Sequence, residues 1–151
     1  MSFDTTFNFD DETAEYAALR NTNQASLNAV NAEITLITSC VGYTSIKSAE
    51  LTRLTNLQTT YSANVDGYNA TLTGIDNVKA LNSSDKNILY VFFGFCGVPK
   101  SRYMCLMIAN YTAMLADTDL IAIVNDNTNT TEIKNHIGQI VMAKYSAGRY
   151  C

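Results

Sequence analysis

Eight residues, Gly94 to Ser101, come closest to a reactive signature: GFCGVPKS. The apolar run ILYVFF leads into them and the amphipathic run RYMCLMIA follows. Strand, glycine loop, lysine, serine, helix is the order of a Walker A loop. There, backbone N–H groups and the lysine cradle nucleotide phosphates. The spacing fits at every position but one, because Pro99 stands where the second glycine belongs. Proline has no N–H to point at a phosphate, and its φ is locked near about −65°. LIAIVND, ending near Asp126, imitates the partner strand of such a site. The 65 residues from Asn87 onward are too few for the several-stranded parallel sheet that the arrangement needs. GFCGVPKS therefore reads as a turn between two buried segments. Gly94 and Gly97 reverse the chain, and Pro99 takes the first helical position, where no N–H is required. Lys100 and Ser101 then fall in an exposed first turn.

The other reactive residue types are isolated. Cys96 lies between the two glycines and His136 is the single histidine. A Cys–His nucleophile needs an orienting third group and an oxyanion hole, and the sequence displays neither. His136 follows Glu132 by four residues, which reads as a pair on a helix surface. Asp117, Asp119 and Asp126 lack the D-x-D-x-D-G spacing of a calcium loop. Cys40, Cys96, Cys105 and Cys151 contain no Cys-x-x-Cys, so a structural zinc has no ligand set, and we expect reduced thiols. Four Asn-x-Ser/Thr triplets occur, at Asn69, Asn82, Asn110 and Asn129. Roughly three would arise by chance in so Asn- and Thr-rich a chain. No catalytic residue, metal or cofactor is expected.

What remains is architecture. The chain has 151 residues, 47% hydrophobic and 16% charged, with 18 Thr, 16 Asn, seven Gly and one Pro. So few breakers favour long helices. Net charge is −4, and no basic stripe offers a nucleic acid a footing. The beginning, MSFDTTFNFDDE, has neither the basic nor the apolar region of a secretory signal. No apolar run reaches the length of a spanning helix. A soluble chain that is not exported by a cleavable signal is the expectation, with no membrane partner.

Residues 1–11 read as an arm carrying Phe3, Phe7 and Phe9, which either fold back on the chain's own core or dock on a neighbouring subunit. Asp10 is a candidate N-cap, with Asp11, Glu12 and Glu15 where a helix dipole favours acids. Across residues 12–81, heptads dominate. Leu27, Val30, Ile34, Ile37 and Val41 alternate three and four apart, extending back to Asn23, Arg20 and Tyr16. A second register runs Leu51, Leu54, Gln58, Tyr61, Val65, Tyr68, Leu72 and Ile75. Stripes this narrow are coiled-coil-like seams, and amides such as Asn23 and Gln58 within them can fix register. The spacing slips near Gly42. Either the helices fold there into an antiparallel hairpin, or one helix about 100 Å long runs from about Asp11 to Leu81.

Residues 82–151 are more apolar and read as a compact helical region. Ile108, Tyr111 and Leu115 mark one helical face. LIAIV, Leu120 to Val124, fits a buried strand or a helix turn. Asn129 with Glu132 resembles a capping box opening a last helix, with Ile133, Ile137, Ile140, Val141 and Lys144, closed by Gly148. The fold class expected is mainly α: a coiled-coil-like hairpin or bundle with a compact apolar C-terminal half.

Long Thr/Asn-rich, lysine-poor heptads joined to a small apolar end region resemble bacteriophage or other virion components of the fibre, neck or minor capsid type. The resemblance covers residues 12–81, is one of style, and carries no diagnostic motif or site residues. It implies a non-enzymatic, homo-oligomeric assembly protein with other assembly proteins as partners. Leu27, Val30, Ile34, Ile37, Val41, Leu51, Leu54, Tyr61, Val65, Tyr68, Leu72 and Ile75 would be its interface. A cellular adaptor binding a partner helix is the alternative, and a degenerate nucleotide-binding module at residues 94–101 a third reading.

Overall fold

A computed structural model describes residues 9–146. Among them the chain forms α-helices and no strand: α1 (Phe9–Thr38), α2 (Thr44–Lys79), α3 (Ser83–Phe95), α4 (Lys100–Ala116), α5 (Thr118–Asn125) and α6 (Thr131–Met142). The mainly-α expectation holds. Two compact units divide the chain. One is residues 13–72; the other begins at residue 73 and includes Phe9–Glu12.

The first unit is an antiparallel hairpin of residues 13–38 of α1 and 44–72 of α2. Its chain reversal occupies residues 39–43, with Gly42 at φ 88° and Tyr43 at φ 50°. Glycine adopts this left-handed conformation freely, whereas for a tyrosine it costs about 1 kcal/mol. The Lys47 ammonium donates to the carbonyls of Thr38 (3.0 Å) and Cys40 (2.9 Å), so it stands at the negative end of α1 and closes the turn. Cross-helix bonds set the register. Gln58 reaches Asn31 at 2.8 Å, Asn64 reaches Asn23 at 3.0 Å, and Arg20 approaches Asn69 at 3.4 Å. Tyr16 lies against Tyr68, with ring centroids 6.3 Å apart. Steps back along α1 are matched by steps forward along α2, so the single long helix does not form. Val41 is a correction. The heptad spacing placed it in the seam, but α1 ends at Thr38 and Val41 is 95% exposed in the turn.

Threonine is a poor helix former because its hydroxyl competes for backbone groups. Here that competition is resolved inside the helices. Thr22, Thr35, Thr38, Thr52, Thr59, Thr60 and Thr71 each donate to the carbonyl four residues earlier.

The second unit has a true core. Leu89, Phe92, Phe93, Met107, Met114 and Leu120 are fully buried, with Val78 and Ile75 from the end of α2. Phe92 meets Phe95 edge-on at 5.4 Å, and Phe93 stacks on Tyr103 at 5.5 Å. A Cβ on Gly74 would collide with Ile108, and one on Gly138 would lie 2.7 Å from the Cys96 sulfur. Those two glycines let helices approach closely.

Several local expectations shift. Phe9 is not in an arm but begins α1, placing Asp10, Asp11 and Glu12 in its first turn. Its ring packs edge-on against Tyr90 (6.3 Å) with the Lys86 ammonium 5.7 Å away, so this phenylalanine folds back on the chain's own core. Phe3 and Phe7 lie outside the described residues, as does Gly148. LIAIV is helical, in α5, because Asp117 caps that helix by accepting from the Leu120 N–H (3.1 Å). The cap of α6 is Thr130, one residue later than expected. Its hydroxyl accepts from Ile133 N–H (3.2 Å), while Asn129 turns back to Asp126 (3.0 Å).

Candidate functional site

The glycine loop is a helix ending. After α3, Gly97 takes φ 73°. The Val98 N–H donates to Phe93 O and the Gly97 N–H to Gly94 O, both at 3.3 Å, while Cys96 N–H donates to Phe92 O at 3.1 Å. The first two bonds are the pair that defines a Schellman motif, with Cys96 as C-cap. Every amide from Cys96 to Val98 is thus spent on α3's own carbonyls, and Pro99 has none. Residues 96–99 therefore offer a phosphate no free backbone N–H, and a cradle of such donors is the physical content of a Walker loop. Pro99 is the N-cap of α4 rather than its first helical residue, with Lys100 one step later.

Cys96 is buried, and burial pushes its thiol up to about 12. It is therefore protonated at neutral pH and a poor nucleophile. Its sulfur faces Gly138, whereas His136 is exposed on α6. No ion pair joins Glu132 to His136 among the described residues, so the expected surface pair does not form. Cys40 is an exposed free thiol. Cys105 is disulfide-bonded, which corrects the expectation of reduced thiols throughout.

The three aspartates do separate structural work. Asp117 accepts from the Tyr145 hydroxyl (2.6 Å), the Lys144 ammonium (3.0 Å) and the Leu120 N–H. The Tyr145 bond, followed by the Lys144 contact, holds its carboxyl at about 2 against partial burial. Burial and then the Asp117 bond raise the Tyr145 phenol in turn. Asp126 accepts from Thr128 through both backbone and hydroxyl, at 2.7 and 2.6 Å, which lowers its carboxyl. Asp119 stands in the first turn of α5. Among the described residues no three His, Cys, Asp or Glu side chains are grouped to hold a metal.

The heptad residues do gather. Leu27 and Val30 lie on α1 between the Asn23 and Asn31 rungs, and Tyr61 lies on α2 between Gln58 and Asn64. Ile34 and Ile37 continue toward the turn, as do Leu54 and Leu51 on the facing helix. Val30, Leu54 and Val65 are buried; Leu27, Ile34, Ile37, Leu51, Tyr61, Tyr68 and Leu72 are half-buried. Ile75 belongs to the compact unit, where it is fully buried. Residues the spacing did not single out are more exposed still: Leu36, Tyr43 and Ile46. Their signal was available as apolar residues off the stripe.

Compared with known proteins, the chain matches no family model, no curated protein and no solved structure. Among the described residues no single helix is long and apolar enough to cross a membrane.

Proposed function

We propose that the chain is a non-enzymatic assembly protein, an oligomer of the virion-component kind, whose hairpin supplies subunit contacts. One observation carries this reading. Across residues 13–72 only three large apolar side chains, Val30, Leu54 and Val65, are buried. The rest of the seam is half-covered. Two antiparallel helices have one line of contact and cannot enclose stripes on both. Half-covered apolar seams gain about 25 cal/mol for each Å² that a further helix removes from water. Copies of the same hairpin are a ready source of that helix, as in bundles built from paired hairpins. A cellular adaptor would use the same seam on a foreign helix.

Light scattering across micromolar concentrations tests self-association; a folded monomer throughout defeats the proposal. Ile34→Asp sharpens the test. A carboxylate in a closed apolar seam costs several kcal/mol, comparable with a domain's whole stability. The expected result is loss of assembly or of the hairpin itself. Asn28→Asp, on the exposed face where Asn28 only accepts from Gln24 (3.0 Å), should cost less than about 0.5 kcal/mol. Equal melting and sedimentation of the Ile34→Asp chain and wild type would mean that water, not another subunit, covers the seam.

A further inference from the structure

The hairpin tip carries an apolar surface of its own, which shares only Ile37 with the seam. From Ile34 to Ile46 the sequence ITLITSCVGYTSI contains no charged residue, between Glu33 and Lys47. Within about one helical turn of the reversal stand four large apolar side chains facing solvent: Leu36 (72% exposed), Val41 (95%), Tyr43 (77%) and Ile46 (68%). Beside them a shallow cleft of about 240 Å³ opens between Ile37, Cys40, Tyr43 and Ile46, bordered by Lys47 and Glu50. Only apolar atoms are exposed on its walls.

We propose that this tip is a lipid-binding element that inserts shallowly into the interface of a bilayer, without requiring anionic headgroups. Three features select lipid over a protein partner. The first is internal satisfaction of the carbonyls that end α1, which an apolar medium demands; the N–H groups of residues 41–46 make no such bond, which keeps the insertion at the wet interface. The last four carbonyls of α1 would ordinarily look to water. Instead Thr35 and Leu36 accept from the Ser39 N–H, Ile37 from the Cys40 N–H, and Thr38 from Lys47. The hydroxyls of Thr38 and Ser39 return to Ile34 and Thr35. Similar hydroxyl bonds recur along the hairpin, but only at the tip do they coincide with a charge-free surface.

The second feature is depth. Beyond Lys47, whose ammonium is turned onto carbonyls, charges resume at Glu33 and Glu50. Each lies about 8 Å along its helix from the reversal at 1.5 Å per residue. Interfacial elements bury about 5–10 Å into a bilayer, and tyrosine favours that zone. Nearby charges balance: Glu50 is paired with Arg53 at 2.5 Å, and Glu33 offsets Lys47. Hence no preference for an anionic surface follows. The third feature is area. With Leu36, Val41, Tyr43 and Ile46 between 68% and 95% exposed, the patch offers roughly a few hundred Å², against about 800 Å² per partner in a stable dimer, too little to hold a protein partner by itself. Sequence reasoning expected no membrane partner because no run spans a bilayer; shallow insertion needs no such run.

The chain contains no tryptophan, so Val41→Trp installs a single reporter in the full-length protein. On adding phosphatidylcholine vesicles its emission should move to shorter wavelength, and wild-type protein should float with the vesicles on a gradient. Val41→Asp, at a site too exposed to disturb folding, should keep the wild-type melting curve and lower the vesicle-bound fraction about tenfold or more. Ile140→Asp, at another exposed isoleucine, should float like wild type. Four results would overturn the proposal. Wild type fails to float at millimolar lipid, or Val41→Asp floats equally well. Binding occurs only with anionic vesicles, so that headgroup charge carries it. Finally, the tryptophan shift follows protein concentration without vesicles, which would mark the tip as a self-association surface.

Discussion

Helix α1 contributes one buried apolar residue, Val30, over thirty residues, whereas α3 buries Leu89, Tyr90, Val91, Phe92, Phe93 and Phe95 within thirteen. Both are helices with regular hydrogen bonding, so helicity alone does not measure how firmly a segment is held. In the compact unit, aromatic rings interlock around α3. In the hairpin, amide pairs, threonine back-bonds and a partly covered seam do the holding. Core truncation should separate the two most strongly. Phe92→Ala removes a fully buried ring with partners at 5.4 Å (Phe95) and 6.2 Å (Phe93), and should cost about 3–5 kcal/mol. Leu54→Ala, the deepest hairpin position, should cost about 2 kcal/mol, near the low end for its type, because half-exposed neighbours can close the gap. Urea unfolding of both variants at a concentration where association is constant measures the difference. Equal losses would erase the contrast between the units.

An electrostatic difference of intermediate size should follow. Asp117 ties α5 to Lys144 and Tyr145, gathering three donors on one carboxylate. Its folded carboxyl, at about 2, lies below its ordinary value of 3.8. A depressed carboxyl contributes stability that is complete above the unfolded value and is lost as pH falls through the folded one. Asp117→Asn, which keeps a capping side chain, should therefore cost about 1–2 kcal/mol at pH 7. The gap to wild type should narrow between about pH 4 and pH 2. Tyr145→Phe removes the largest cause of the shift and should move the Asp117 titration, followed by carboxyl NMR, back toward its ordinary range. A gap constant across that pH window would assign the loss to geometry rather than charge.

The contrast between the units was partly written in the residues. Three-four spacing exposed the helical stripes, and the apolar density after Asn87 announced the compact unit. Pro99 argued against a phosphate loop from residue type alone, because a missing N–H is legible there. The turn was harder. Gly42 accommodates φ 88°, but a glycine in a slipped heptad serves equally as a stammer within a longer helix. Val41 was misplaced because periodicity marks a face without marking where the helix ends. Asn129 and Thr130 are both competent caps, and the competing bond from Asn129 to Asp126 decided between them. The seam is the deepest case. An apolar stripe looks the same whether its own hairpin partner or another subunit covers it, so spacing identified the residues but not their cover. The tip escaped notice because Leu36, Tyr43 and Ile46 lie off the heptad stripe and Val41 was assigned to it.

The smallest effect expected lies in the amides that set the hairpin register. Gln58 interrupts the α2 stripe between Leu54 and Tyr61 and donates to Asn31 at 2.8 Å. The bond is solvent-exposed, so its loss should cost no more than about 0.5–1.5 kcal/mol, the usual net worth of a hydrogen bond. Gln58→Leu would extend the apolar stripe and recover a similar amount through burial. Net stability should therefore change by less than about 1 kcal/mol, and the sign can favour the variant. What the amide supplies is specificity: leucine pairs equally well with apolar residues in neighbouring registers, whereas an amide is satisfied only opposite its partner. Sedimentation velocity should accordingly show a single species for wild type and a broadened distribution for Gln58→Leu at matched melting temperature. A loss above about 2 kcal/mol with one sharp species would reverse the interpretation. The Gln58–Asn31 rung would then hold the hairpin as firmly as a buried contact, and the division between a packed unit and a loosely covered one would have to be redrawn at that rung.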